Sequence, residues 1–275
     1  MRYICPVCGE RLKLSDKTYR CRNGHSFDLA SKGYVNLLLS KGRNPAKSGD
    51  NADMVRARSE FLDRGYYSPL AEALRDRTAE ALAGIEHPEI IDSGCGEGYY
   101  TCRLAEIAGS EVRGIDISKH AVARCMGRAH RECLENVSFA VASSFSLPFP
   151  DSSADAVVSV FAPVSNDEYA RVLKRGGKLI VVSPSPRHLF ELKAAVYDTP
   201  YENRPNVYGL NKFTLTDERT LEYRTRLTSQ QDIGALFLMT PYWYKTSEEG
   251  MARLRALEEI EVTCGFVLQV YTARG

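Results

Sequence analysis

Ile90-Ile91-Asp92-Ser93-Gly94-Cys95-Gly96-Glu97-Gly98 is the stretch on which the fold turns. A short apolar run closes on an acid and then on three alternating glycines, which reads as a β-strand running into a tight loop. Tyr99 to Ala108 then reads as a helix. Glu111-Val-Arg-Gly-Ile-Asp116-Ile is a second strand ending in an acid, 22 residues after Gly94. The alternation continues with a helix over Lys119 to Glu132 and a strand over Val137 to Val141. A loop through Leu147-Pro-Phe-Pro150 leads to a strand over Ala154 to Phe161. A helix over Asn166 to Leu173, a turn at Arg175-Gly176-Gly177 and a fifth strand over Lys178 to Ser183 follow. Strands separated by helices predict an α/β domain with a mostly parallel sheet and a ligand site at the carboxyl ends of its strands.

Upstream of this unit, Asp50 or Asn51 is placed to cap a helix reaching about Leu62, with Met54, Ala57, Phe61 and Leu62 on its apolar side. A second helix is predicted from Pro69 to Leu82. Downstream, Thr220 to Leu227 and Val262 to Thr272 read as antiparallel strands completing the sheet, with helices at Ser229 to Met239 and Ser247 to Glu259.

Glycine turns serve several nucleotide cofactors, and a dinucleotide enzyme is the first alternative, but that fingerprint is G-x-G-x-x-G. Here the spacing is Gly94-x-Gly96-x-Gly98, preceded by Asp92 and followed by a strand-end acid, Asp116. This pattern resembles the class I S-adenosylmethionine-dependent methyltransferases, whose fold is Rossmann-like. The resemblance implies that the glycines let the backbone approach the amino-acid part of the cofactor. An acid near the loop would hold its ammonium, directly or through water, and Asp116 would accept from both ribose hydroxyls. Val141-Ala-Ser143-Ser144 would lie beside the adenine.

The N-terminal segment carries different chemistry. Cys5-Pro-Val-Cys8-Gly9 is followed after twelve residues by Cys21, and after three more by His25. Two cysteines two residues apart can aim their sulfurs at one point, and Gly9 and Gly24 suit the turns. The set Cys5, Cys8, Cys21 and His25 matches the four tetrahedral ligands of a structural Zn²⁺, in a zinc ribbon with no position left for a reactive water. The alternative is three free thiols and a surface histidine. A segment this small has little core of its own, so the metal would supply much of its folding energy. Cys95, Cys102, Cys125, Cys133 and Cys264 are dispersed and read as packing residues.

Composition narrows the class. At 275 residues, 44% hydrophobic and 26% charged, the chain is neither disordered nor fibrous. No apolar run reaches the ~18 residues that span a bilayer. The opening Met-Arg-Tyr-Ile-Cys-Pro lacks the apolar core of a secretory signal, which predicts a cytoplasmic protein without a membrane partner. The net charge of +1 hides an asymmetry: residues 1–50 hold ten Lys/Arg against four Asp/Glu, the rest 26 against 31. A basic head on a mildly acidic body suggests an anionic partner, or a basic solvated surface.

Set out in full, the sequence is a Cys-x-x-Cys/Cys-x-x-x-His ribbon, then Gly33-Tyr-Val-Asn-Leu-Leu, Met54-Val-Arg-Ala-Arg58 and Glu60-Phe-Leu-Asp-Arg-Gly-Tyr66-Tyr67-Ser-Pro-Leu. After the glycine loop come Phe161-Ala-Pro and Pro186-Arg-His188-Leu-x-Glu-Leu-Lys193. This order strongly resembles the bacterial 23S rRNA (guanine-N1)-methyltransferases of the RlmA type, whose branches include macrolide-resistance enzymes. The resemblance covers the chain to about residue 200 and is looser beyond. Ser93 departs from it, standing where the loop usually has an aliphatic residue. The resemblance implies S-adenosyl-L-methionine as cofactor, with Tyr67, Gly96, Glu97 and His188 in its pocket beside Asp92, Gly94, Gly98 and Asp116. It implies a division into a zinc-ribbon RNA-recognition domain (1–40), a segment (41–84) of a polar Gly/Pro-rich linker, Lys41 to Gly49, and helices leading into the catalytic domain, and a methyltransferase domain (85–275). A homodimer is compatible with it.

The expected reaction is methyl transfer to N1 of a guanine in a hairpin loop of 23S rRNA. N1 lies on the Watson–Crick edge, so the base must be unpaired or flipped out. Phe161, Tyr197, Tyr201, Trp243 and Tyr244 are candidates to stack on it. Arg11, Lys13, Lys17, Arg20 and Arg22, with Lys41, Arg43 and Lys47, are candidates for phosphate contacts. The N1 proton calls for a base or a group that stabilises the anion. Asp167 and Glu168 lie near the expected site, although acids at a helix start need no such role. Two other functions compete: a methyltransferase for a small molecule or a protein, with the ribbon as a docking module, and a non-catalytic RNA-binding protein. The intact glycine loop and Asp116 oppose the second.

Overall fold

A computed structural model describes residues 3–39 and 49–274, apart from the side chain of Tyr244. Three short strands, β1 (Lys13–Ser15), β2 (Thr18–Arg20) and β3 (Ser26–Asp28), form an antiparallel sheet in that order. β4 (Val35–Asn36) follows, then α1 (Ala52–Asp63) and α2 (Ser68–Ala81). Asn51 caps α1, its side chain accepting from the Met54 amide at 2.9 Å. The buried face of α1 is Val55, Ser59, Phe61 and Leu62, whereas Met54 and Ala57 are half-buried.

The alternating unit comprises β5 (Glu89–Ser93), α3 (Tyr99–Leu104), β6 (Glu111–Asp116), α4 (Lys119–Arg131), β7 (Val137–Val141), β8 (Ala154–Val160), α5 (Asn166–Val172), β9 (Leu173–Pro184) and α6 (Phe190–Val196). β10 (Phe213–Leu227), α7 (Gln230–Leu238), α8 (Glu248–Arg255) and β11 (Ile260–Ala273) complete the chain. The large sheet has the order β10-β11-β9-β8-β5-β6-β7-β4. Pairing is parallel from β4 through β9, and antiparallel at β9–β11 and β11–β10. This is the expected α/β class.

All seven residues of β8 are buried, as a central parallel strand covered on both faces requires. From β5 the chain steps to β6 on one side and later to β8 on the other. The crevice at this reversal, at the carboxyl end of β5, is where the glycine loop lies. β9 begins five residues before the expected Lys178, the Arg175-Gly-Gly segment forming an irregularity within it.

The ribbon is packed against this body. Tyr3 stacks on Phe149 (ring centroids 5.4 Å apart), its hydroxyl meets Ser138 Oγ at 3.1 Å, and the Ile4 amide donates to Pro148 O at 2.9 Å. Cys5, Leu12 and Cys21 share one buried cluster with Leu147 and Phe149. β4, inside segment 1–40, is an edge strand of the large sheet. Among the described residues, no helix is long and apolar enough to cross a membrane.

Candidate cofactor and metal sites

Cys5, Cys8, Cys21 and His25 converge, their ligand atoms all within 4.8 Å of one another. Cys8 Sγ and Cys21 Sγ are 3.8 Å apart, and Cys21 Sγ is 3.4 Å from His25 Nδ1. A tetrahedral Zn²⁺ with Zn–S of about 2.3 Å and Zn–N of about 2.0 Å has edges of roughly 3.8 and 3.5 Å. The donor set therefore fits zinc in chemistry and spacing. The backbone amide of Glu10 beside Cys8 draws its thiol down to about 6, which favours the thiolate a metal needs.

A cavity of about 770 Å³ opens at the carboxyl ends of the parallel strands. Six of the eight expected cofactor residues line it: Tyr67, Gly94, Gly96, Glu97, Asp116 and His188. Asp92 and Gly98 do not. Asp92 is buried behind the loop, accepting from Thr101 Oγ1 at 2.5 Å, and burial pushes its carboxyl up to about 7. It ties the glycine loop to α3. Gly98 packs against Cys125 of α4, where a Cβ would stand 3.2 Å from three of its atoms.

Asp116 accepts from the Gly96 amide at 3.0 Å and the Ser118 amide at 2.7 Å, which sets its carboxylate at the loop. Burial raises the carboxyls of Asp116 and Glu97. Ser93 is fully buried and accepts from the Tyr169 hydroxyl at 2.9 Å, so the departure from an aliphatic residue is satisfied by a hydrogen bond. A Cβ on Gly96 would meet nothing closer than Arg58 Nη1 at 3.8 Å, so its face stands open to the cavity. The Tyr100 hydroxyl is buried, has no partner and belongs to the same wall. Acids, a glycine-bare backbone and an unspent hydroxyl fit a ligand carrying ammonium, sulfonium and hydroxyl groups.

Beside the loop, where Ala162 packs on Gly94, part of the cavity wall is aromatic. His188 packs on Phe266 (4.8 Å) and lies nearly parallel to Phe161 (6.4 Å, 23°), while Phe266 meets Tyr67 edge-on at 5.2 Å. His188 Nδ1 accepts from the Gly265 amide at 3.3 Å. Burial, with Lys193 nearby, draws the imidazole down to about 3, so it is neutral at physiological pH. Phe161 has φ +53°, a strained conformation for a bulky residue; it lines the cavity and is 46% exposed.

Arg58, Tyr100, Lys193 and Asn203 were not singled out by sequence as cofactor-site residues. Lys193 is fully buried and donates to Tyr201 O at 2.9 Å and Asn203 Oδ1 at 2.7 Å. Asn203 donates in turn to the carbonyls of Ser185 and His188. The pair pins the chain after α6 over the cavity. In sequence, Lys193 shows only as the last residue of the Pro186–Lys193 stretch.

Neither Asp167 nor Glu168 reaches the cavity. Asp167 pairs with Lys212 at 2.8 Å on the surface, and Glu168 accepts from the Leu147 amide and pairs with Arg171. Of the stacking candidates, Tyr201 and Trp243 are exposed, Tyr197 stacks on Tyr201, and the side chain of Tyr244 lies outside the described residues. Arg11, Lys13, Lys17, Arg20 and Arg22 are all exposed on the ribbon, whereas Lys41, Arg43 and Lys47 lie outside the described residues. Cys133 is exposed, contrary to its reading as a packing residue, while the other four dispersed cysteines are buried.

Comparison with known proteins identifies both parts of the chain. Residues 3–42 match the family model described as RlmA, N-terminal, a zinc ribbon, and residues 86–238 match the model of a methyltransferase domain. The 23S rRNA (guanine(748)-N(1))-methyltransferase of Streptomyces fradiae is 38% identical over 280 residues, covering 98% of this chain and 96% of that one. A protein of Bacillus subtilis (strain 168), provisionally named for methylation of guanine N1 in 23S rRNA, is 31% identical over 272 residues, covering 95% of this chain and 93% of that one. The crystal structure of the MccD protein superposes with a TM-score of 0.50 at 22% identity, covering 75% of this chain and 98% of that one, a likeness of fold.

Proposed function

This chain belongs to the 23S rRNA (guanine-N1)-methyltransferase family of RlmA type, and from that membership we propose that it methylates N1 of an unpaired guanine in a hairpin loop of 23S rRNA. The observation that carries the reading is one cavity with two unlike walls, built on a body to which a four-ligand basic ribbon is rigidly packed. In this reading Gly94, Gly96, Glu97, Asp116, Tyr67 and His188 hold S-adenosylmethionine, while Asp92 and Gly98 shape the loop from behind. Cys5, Cys8, Cys21 and His25 hold a structural zinc. Residues 1–40 recognise RNA, 41–84 connect, and 85–275 catalyse.

S-adenosylmethionine, when bound, supplies the electrophilic methyl carbon. The chain's own contribution is alignment and enclosure. The aromatic wall keeps water from the reacting centre, where the sulfonium charge disperses. Phe161, strained and half-exposed, offers a face on which an extruded guanine stacks. The acids of the wall, Asp50, Glu97 and Asp116, are grouped around Arg58 rather than around Phe161. His188 Nδ1 is occupied by the Gly265 amide. In this reading the N1 proton is taken neither by the acids paired with Arg58 nor by His188 Nδ1.

Primer extension on 23S rRNA from cells with and without the protein tests the reading, because a methyl on the Watson–Crick edge stops reverse transcription. A protein-dependent stop in a hairpin loop is expected, with guanine 748, named in the Streptomyces relative, inspected first. Unchanged stops, together with transfer of labelled methyl to a metabolite or protein, would replace RNA as the acceptor.

A further inference from the structure

The cavity wall holds three carboxylates, Asp50, Glu97 and Asp116, and among its described residues a single cation, Arg58. Arg58 stands on α1, outside the matched methyltransferase domain of residues 86–238. Its side chain is 24% exposed and ion-paired with Asp50. Its Nη1 lies directly over the bare face of Gly96. Burial opposes the guanidinium charge, and Asp50, Glu97 and Asp116 restore it.

The position of Arg58 is fixed before any ligand arrives. Asn51 caps its helix, Phe61 and Leu62 seat that helix in the core, and Ser118 Oγ donates to Asp50 O at 2.8 Å. The Tyr100 hydroxyl, buried and unpartnered, shares the wall and lies within electrostatic reach of Arg58.

S-adenosylmethionine brings two cationic groups and one carboxylate. Three wall carboxylates suit the cations and repel the anion. A buried carboxylate needs charge-assisted donors. We propose that Arg58, aided by the Tyr100 hydroxyl, binds the cofactor's carboxylate, so that helix α1 completes a site the methyltransferase domain leaves open. This rests on the reading of the cavity as the cofactor site.

The test is calorimetric binding of S-adenosylhomocysteine and of its decarboxylated analogue, S-adenosyl-3-thiopropylamine, to the full-length zinc-loaded protein. Arg58→Met is expected to weaken S-adenosylhomocysteine by about 10–100-fold, the scale of a charge-assisted hydrogen bond. The analogue, lacking the carboxylate, should bind it as well as it binds the wild type, or better. Tyr100→Phe should weaken S-adenosylhomocysteine by about 3–10-fold and spare the analogue. Equal weakening of both ligands by Arg58→Met, or of neither, would overturn the proposal and leave Arg58 a counter-charge for the acids. Arg58→Lys, which keeps the charge but not the fork, should fall between wild type and Arg58→Met and carries the test if the methionine variant does not fold. A wild-type protein that binds neither ligand would instead overturn the cofactor reading itself.

Discussion

Two glycines of the same loop should fail in different ways when each is given a single methyl group. Gly94 has φ +83° and Gly96 has φ +55°, so alanine at either enters the left-handed region at about 1–2 kcal/mol. Alanine also restricts the unfolded chain, which returns about 0.4–1 kcal/mol at both. The difference lies in what the new Cβ meets. At Gly94 it stands 2.5 Å from Ala162 Cβ, against an ordinary carbon contact of about 3.5–4.0 Å, so the Phe161-Ala162 turn must retreat by roughly 1 Å. Such overpacking costs about 1–3 kcal/mol. At Gly96 the nearest atom is Arg58 Nη1 at 3.8 Å, and nothing is displaced. Gly94→Ala should therefore be less stable than Gly96→Ala by about 1–3 kcal/mol in urea unfolding. Gly96→Ala should stay near wild-type stability yet bind S-adenosylhomocysteine at least about tenfold more weakly in calorimetry, because its Cβ projects into the cavity. Stabilities of the two variants within about 0.5 kcal/mol, or wild-type affinity in Gly96→Ala, would refute this account of the loop.

Three further outcomes follow from buried groups and contacts. His188, drawn down to about 3, stays neutral in the fold while the unfolded chain takes up a proton below its ordinary 6.5, so its contribution to stability falls as pH drops from about 6.5 to 3. Asp92, pushed up to about 7, keeps its proton in the fold while the unfolded chain loses it, so its contribution falls as pH rises from about 4 to 7. The two slopes oppose each other; relative to wild type, His188→Asn should gain stability toward acid and Asp92→Asn toward neutral pH, by up to about 1.4 kcal/mol per pH unit, and parallel curves for all three proteins would contradict the assignment. Removing zinc with a chelator should disorder the ribbon and weaken S-adenosylhomocysteine several-fold, since the cavity residues Ser143 to Phe145 lead into Leu147 and Phe149, which pack on Cys5 and Cys21; a metal-free protein with unchanged cofactor affinity would separate the two sites. Phe161→Ala should lower methyl transfer to RNA by about 10–100-fold, the scale of one base stack, and leave cofactor affinity within threefold; loss of cofactor binding would place Phe161 on the other side of the reaction.

The sheet was legible because its strands follow two readable rules: continuous apolar runs where both faces are covered, as in β8, and an acid or glycine at the carboxyl end of a strand, as at Asp92 and Asp116. The zinc ligands were legible because four soft donors at fixed spacing have few other uses, and the fold brings them together. What escaped has a common physical cause. β1, β3 and β4 are two or three residues long, too short for alternation to show. β10 extends seven residues before the expected start, because an edge strand with one face in water alternates charged and polar residues. Arg58 and Lys193 look like ordinary solvated cations in sequence. Only tertiary packing turns one into a wall of the cavity and the other into a buried clasp.

The same packing alters how ribbon and pocket should be thought of. A metal-clamped finger joined by a polar linker suggests a module free to search for RNA while a separate domain waits. The contacts give another arrangement. The loop after β7 is held on one side by α5, where Glu168 accepts from the Leu147 amide and Arg171 donates to Leu147 O at 3.0 Å and Phe149 O at 2.8 Å. On the other side the ribbon holds it through Tyr3 on Phe149 and the Ile4 amide on Pro148 O. Leu37 donates to Val141 O, and Val35 and Asn36 extend the sheet beside β7. Two of the four metal ligands, Cys5 and Cys21, are buried in the cluster that contains this loop. Free energy from metal binding is thus spent on the wall of the cavity as well as on the ribbon. The placing of the ribbon's basic face relative to Phe161 therefore depends on the packing of Tyr3 on Phe149.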